Sequence, residues 1–135
     1  MLSTQLNESF IDILSANSIF KGIERSVIGK ITAYAGAHIE IFEKNEYIMR
    51  AGDFPSEFGI VLSGGVTAVG YGADGRESIY AVLRTGDHFA DILVASENKE
   101  SPVSLFSERH NTKIMMIPFR GITKPNRKIF EYQSL

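Results

Sequence analysis

The chain has 135 residues, 14 Lys plus Arg against 16 Asp plus Glu, and a formal net charge of −2. That size supports one domain with its own core and needs no metal or disulfide staple. The absence of cysteine excludes disulfides, thiolate metal sites, cysteine-ligated clusters and a thiol nucleophile, and the near-neutral charge argues against nonspecific nucleic-acid binding.

Residues 3–17 read as a helix, with Leu6, Phe10, Ile13 and Leu14 on one stripe and Ser3 or Thr4 as its cap. Ser18 to Ile23 is a short apolar turn. A second helix over 24–35 places Val27, Ile28, Ile31 and Ala35 on one face, with Gly36 where a left-handed C-cap is wanted. Gly29 inside it costs about 1 kcal/mol relative to alanine. After Gly36 the apolar period falls from 3.6 to 2. Strands are predicted at His38–Phe42, Tyr47–Arg50, Phe58–Leu62, Val66–Tyr71 and Ser78–Leu83, divided by turns at Lys44-Asn45-Glu46, Ala51-Gly52-Asp53, Ser63-Gly64-Gly65, Gly72–Gly75 and Thr85-Gly86-Asp87. Asp74-Gly75 favours the positive φ angles of a tight hairpin. Residues 89–95 read as a short helix, followed by a polar loop. Pro102–Phe106 and Lys113–Ile117 are two further strands around an Asn111-Thr112 turn, and a last short helix begins near Ile122. Short strands with turn signals every 8–12 residues indicate a β-sandwich or barrel.

Four segments carry a family resemblance. Asn45-Glu46-Tyr47-Ile48-Met49-Arg50-Ala51-Gly52-Asp53 is similar to a G-x-x-I-x-x-x-G-D strand pair, with Asn45-Glu46 in place of the first glycine. Phe58 to Gly64 matches a "lyiVlsG" strand, Asp74-Gly75-Arg76-Glu77 a "dGre" hairpin, and Gly86-Asp87-His88-Phe89 a "pGdxF" corner. In this order and spacing they resemble the effector domain of the CRP/FNR superfamily of bacterial regulators. The resemblance implies a mainly β fold, a double-stranded jelly roll (the cyclic-nucleotide-binding β-roll), with N-terminal helices and a short C-terminal helix. Its divisions here are 1–36 (helical), 37–120 (β-roll) and 121–135 (start of a C-terminal helix or tail).

In that family a phosphate-binding cassette, roughly F-G-E-[LI] then R-[ST]-A, holds the cyclic nucleotide. A helix N-terminus and an arginine fork meet the phosphate, and a glutamate meets the ribose. The matching positions at 89–103 are Phe89, Ala90, Asp91 and Ile92, then Ser101, Pro102 and Val103, and these seven are the candidate ligand-binding residues. Ala90 replaces the glycine, Asp91 shortens the carboxylate arm, Ser101 replaces the arginine, and Pro102 removes an N–H donor. Lys99 and Arg109 are the nearby cations that would have to substitute. Ser101-Pro102-Val103-Ser104 resembles the form found in divergent members that lack the arginine; the plain alternative is that Ser101 and Pro102 merely start a strand.

A jelly roll also hosts cupin enzymes, whose metal would need His38, His88 and His110 to converge, and these lack the paired His-x-His of such sites. Phe42, Tyr71 and Tyr80 are candidates to line the roll's interior, and Met115-Met116 reads as core. No catalytic residue, metal or cofactor is assigned. The expected role is a cytoplasmic, non-enzymatic effector domain of a CRP/FNR-type regulator, sensing a small molecule that is anionic or nucleotide-like and not binding cyclic AMP in the usual way. The alternatives are a cupin-like metal-dependent enzyme and a ligand-free dimerisation or interaction module. The effector is expected to dock at the start of an Ala90–Ala95 helix and pass a shift to the C-terminal helix. DNA would be contacted only through a domain outside this sequence; no membrane partner is expected, and a homodimer is.

Overall fold

A computed structural model describes residues 8–95 and 99–118. Helix α1 (Glu8–Ala16), a 3₁₀ turn (Ser18–Phe20) and helix α2 (Arg25–Ala35) precede eight strands: β1 (His38–Phe42), β2 (Tyr47–Met49), β3 (Glu57–Ser63), β4 (Val66–Tyr71), β5 (Glu77–Leu83), β6 (His88–Phe89), β7 (Ser104–Ser107) and β8 (Thr112–Pro118). Helix α3 (Asp91–Ala95) separates β6 from β7. The strands form two four-stranded antiparallel sheets, β1-β8-β3-β6 and β2-β7-β4-β5, the expected β-roll behind its N-terminal helices.

Two apolar clusters divide the core, and β3 and β8 feed both. Phe58, Ile60, Leu62, Met115 and Ile117 face the helices, against Leu14, Phe20, Ile28 and Ile31. Val61, Ile114 and Met116 face into the roll, with Val66, Ala68, Phe89 and Leu105. A strand buried on both faces loses polar alternation, which is why these two segments read as continuous apolar runs. Burying one such side chain contributes roughly 1.5–3 kcal/mol, so the central strands anchor helices and roll together.

Three corners of the roll share one construction. In 43–46, 50–53 and 84–87, the first residue donates its N–H to the carboxylate of the fourth: Glu43 to Glu46 Oε1 (2.9 Å), Arg50 to Asp53 Oδ2 (2.9 Å) and Arg84 to Asp87 Oδ2 (2.8 Å). The third residue, Asn45, Gly52 or Gly86, has φ of 72°, 94° or 97°, the left-handed region that glycine and asparagine tolerate. Its N–H donates to a carbonyl of another segment, Ser107, Ser101 or Val61, at 2.7, 2.8 and 2.8 Å. The N–H groups of those same partners donate back to the Glu46, Asp53 and Asp87 carbonyls at 2.9, 2.8 and 2.9 Å.

The structure moves several predicted boundaries. Phe89 belongs to β6, paired with Gly59, so the predicted helix over 89–95 shrinks to Asp91–Ala95. Strand β7 begins at Ser104, not Pro102, because Ser101 is taken up by the Gly52-Asp53 corner. In the β4–β5 hairpin only Gly75 has positive φ. Gly72 and Arg76 close the loop with Gly72 N–H to the Arg76 carbonyl at 2.9 Å, a three-residue loop with its glycine at the left-handed position, at the expected Gly72–Gly75 turn. Gly36 caps α2 at φ 83° as expected. The predicted helix start and its Ser3 or Thr4 cap, and the predicted C-terminal helix from Ile122, lie outside the described residues.

Gly29 sits in the middle of α2, and a Cβ added there meets no heavy atom within 4 Å. Gly29→Ala is expected to stabilise the protein by about 1 kcal/mol, raising the thermal midpoint by roughly 4 °C in a calorimetric scan.

Candidate functional site

Between the second sheet and α3 lies a cavity of about 300 Å³, at the small end of ligand cavities. Its walls are Met49, Ala68, Ala81, Leu83, Leu93 and Leu105, with Tyr80, His88, Phe89, Ala90, Asp91 and Val103 completing them. Of the seven candidate residues, Phe89, Ala90, Asp91 and Val103 are brought together here. Ile92 lies within α3. Ser101 and Pro102 do not line the cavity.

At the positions where the resemblance expects a glycine and an arginine, the local structure is well defined. Ala90 has φ 67°, so the backbone keeps the conformation that glycine would take freely, at a cost of about 1 kcal/mol for an alanine. Phe89 lies flat against Gly59: a Cβ on that glycine would stand 2.2 Å from the ring edge. Ser101 is 1% exposed. Its hydroxyl donates to the Val103 carbonyl (2.8 Å) and accepts from the Val103 N–H (3.2 Å), while its backbone is held at both ends by the 50–53 corner. The position that would carry the family's arginine is turned in on its own loop. Pro102 is exposed. Lys99 and Arg109 are exposed, and Arg109 lies beside Gly65 at the β3–β4 turn; neither lines the cavity.

Tyr80 and Ala81 both line the cavity although they are sequence neighbours. The β4–β5 register explains this: Val69 pairs with Ile79 and Ala68 with Ala81, leaving Tyr80 as an extra residue. A bulge of this kind breaks strand alternation and re-aims a side chain. Tyr80 is 74% exposed and stands at the mouth. Of the other interior candidates, Phe42 packs into the roll core, and the Tyr71 hydroxyl donates to Ser104 Oγ at 3.3 Å.

Polar chemistry enters the cavity through one chain of contacts that sequence reasoning missed. Asn17, at 5% exposure, caps the 3₁₀ turn by accepting from the Ile19 N–H (2.9 Å). Its Nδ2 donates to the Gly86 carbonyl (2.7 Å) and meets His88 Nδ1 at 3.2 Å. With Nδ1 accepting from Asn17, the proton of a neutral His88 ring sits on Nε2, 3.6 Å from Asp91 Oδ2. The available signal was an asparagine just before a short apolar turn, a capping position. Among the described residues, the cavity's ionisable lining is Tyr80, His88 and Asp91, with no lysine or arginine.

The three histidines do not gather into one ligand set. His88 serves the chain above, and exposed His110 pairs with Glu43 at 2.9 Å. His38 lies with Glu40 and Glu57; burial lowers its pKa, but the Glu40 hydrogen bond and the charges of Glu57 and Glu40 outweigh this and raise it.

The description "cyclic nucleotide-binding domain" belongs to a family model that matches residues 39–123. The chain is a member of that family. Among curated proteins, none matches it by sequence. Among solved structures it is similar to the catabolite activator protein of Thermus thermophilus, with TM-score 0.73 and 17% identity over 86% of this chain and 53% of that one. It thus spans about half the length of that activator. The sensor domain of the transcriptional regulator DNR from Pseudomonas aeruginosa gives TM-score 0.72 at 14% identity, covering 91% of this chain and 80% of that one. The N-terminal domain of a transcriptional regulator from Streptomyces coelicolor gives 0.79 at 15%, covering 91% and 85%. These likenesses establish a fold shared with regulatory proteins. No helix among the described residues is long and apolar enough to cross a membrane.

Removing the Asn17 side chain strands the Gly86 carbonyl and the Ile19 N–H. Asn17→Ala is expected to lower unfolding free energy by about 1–3 kcal/mol, read as a lower urea midpoint at unchanged slope.

Proposed function

We propose that this domain is the effector half of a CRP/FNR-type transcription regulator whose ligand is a small, uncharged, largely apolar molecule held in the β-roll cavity, and that it does not bind cyclic AMP through the usual phosphate contacts. The observation that carries this reading is the cavity lining. A cyclic phosphate needs a fixed cation to offset its desolvation. The described lining offers one carboxylate, Asp91, and a histidine whose Nδ1 is already engaged by Asn17. An anion would meet Asp91 as a like charge, whereas a neutral molecule would gain from Leu83, Leu93, Leu105 and Phe89.

The role is one of binding, without catalysis. An occupant that draws Asp91 inward would disturb the Asp91–His88–Asn17 chain and, through it, the seating of α1 on the roll. Such a ligand shifts the domain only by its differential affinity for the two arrangements. DNA contact would belong to another part of the regulator.

The neutral fluorescent probe N-phenyl-1-naphthylamine tests this reading. Saturable fluorescence enhancement is expected with the unmodified chain. Ala81→Phe, which fills the cavity from a half-buried position, is expected to weaken binding at least about tenfold, equivalent to ~1.4 kcal/mol. Absence of saturable binding, or equal binding by a folded Ala81→Phe variant, would overturn the proposal.

A further inference from the structure

A second group of chemically competent side chains lies on the first sheet, away from the α3 cavity. His38 and Glu40 are two residues apart on β1, on the face that carries Phe42 into the roll core. The register places His38 opposite Met116 and Glu57 opposite Pro118, on the two sides of β8. The three side chains thus converge across a central strand. Their nearest ligand atoms all fall within 4.8 Å of one another, and all three residues are half-buried. His38 Nε2 stands 2.7 Å from Glu40 Oε2, and Nδ1 3.9 Å from Glu57 Oε2.

Two further features mark this group as more than adjacent surface charges. Glu40 and Glu57 form their only ion pairs among the described residues with His38, so two neighbouring carboxylates are balanced by one imidazole. In addition, Glu57 lines a separate cavity of about 270 Å³ with Asp53, Met49, Phe89 and Met116. One edge of the trio therefore opens on space where water or a small ligand can complete a coordination sphere.

We propose that His38, Glu40 and Glu57 form a binding site for one divalent transition ion of the zinc or manganese type. One imidazole and two carboxylates supply three ligands, and water supplies the rest. The proton shared between His38 Nε2 and Glu40 gives way to the ion, and modest rotation of the two half-exposed glutamates brings their oxygens to ~2.0–2.2 Å from it.

Titration calorimetry of the intact chain with Zn²⁺ provides the test, supported by the visible absorption of added Co²⁺. The expected result is one saturable equivalent, with His38→Ala and Glu57→Gln each weakening binding at least tenfold. His110→Ala, which removes the exposed histidine of the Glu43 pair, is expected to leave binding unchanged. Thermal melts of the metal-free variants confirm that each is folded. No saturable binding, wild-type affinity in folded His38→Ala and Glu57→Gln, or loss of binding in His110→Ala would overturn the proposal.

Discussion

The β-roll depends on a carboxylate that closes its own corner while the corner's backbone holds a distant segment. Glu46, Asp53 and Asp87 each accept the N–H three residues earlier, and the carbonyls of the same residues receive Ser107, Ser101 and Val61. A corner of this type needs a residue that tolerates positive φ at its third position and an acidic side chain at its fourth. This gives a physical meaning to the repeated Gly-Asp pairs at 52–53 and 86–87, and to Asn45-Glu46, which builds the same corner from different residues.

The corners also shape the site. The 84–87 corner delivers His88 and Phe89 to β6, where Gly59 leaves room for the ring. The 50–53 corner holds Ser101, so the loop after α3 returns to the roll with its serine hydroxyl bonded to its own backbone. On the proposed reading the frame of a nucleotide-binding cassette is kept, with the positive φ at Ala90, the short helix and the return strand all present, while the buried Ser101 stands where the resemblance expects the phosphate-binding arginine. The polar contacts that His88 makes at this site run to Asn17, beside the N-terminal helices, and to Asp91.

Much of the fold could be read directly from residue order. Alternation in β1, the glycine turns and the Gly36 cap each follow from local chemistry, and local chemistry was sufficient for them. The misread features all depend on cross-strand partners. Phe89 joins β6 because Gly59 offers it space, and Pro102 is excluded from β7 because Ser101 is held by Gly52 and Asp53. Tyr80 reaches the cavity only through a bulge fixed by Ala68 and Val69. For the site, the cassette residues were picked out by position; Phe89, Ala90, Asp91 and Val103 line the cavity, and Ser101 and Pro102 do not. Asn17, 71 residues from His88, could be seen as a cap and not as part of the site. The grouping of His38 with Glu57 likewise needs β8 between them.

The central claim is that this cassette retains its shape without the charge needed for a cyclic phosphate. Calorimetric titration of the chain with cyclic AMP tests it most directly. The account predicts no saturable heat up to millimolar nucleotide. Saturable one-to-one binding with a micromolar dissociation constant, worth about 8 kcal/mol, would contradict it.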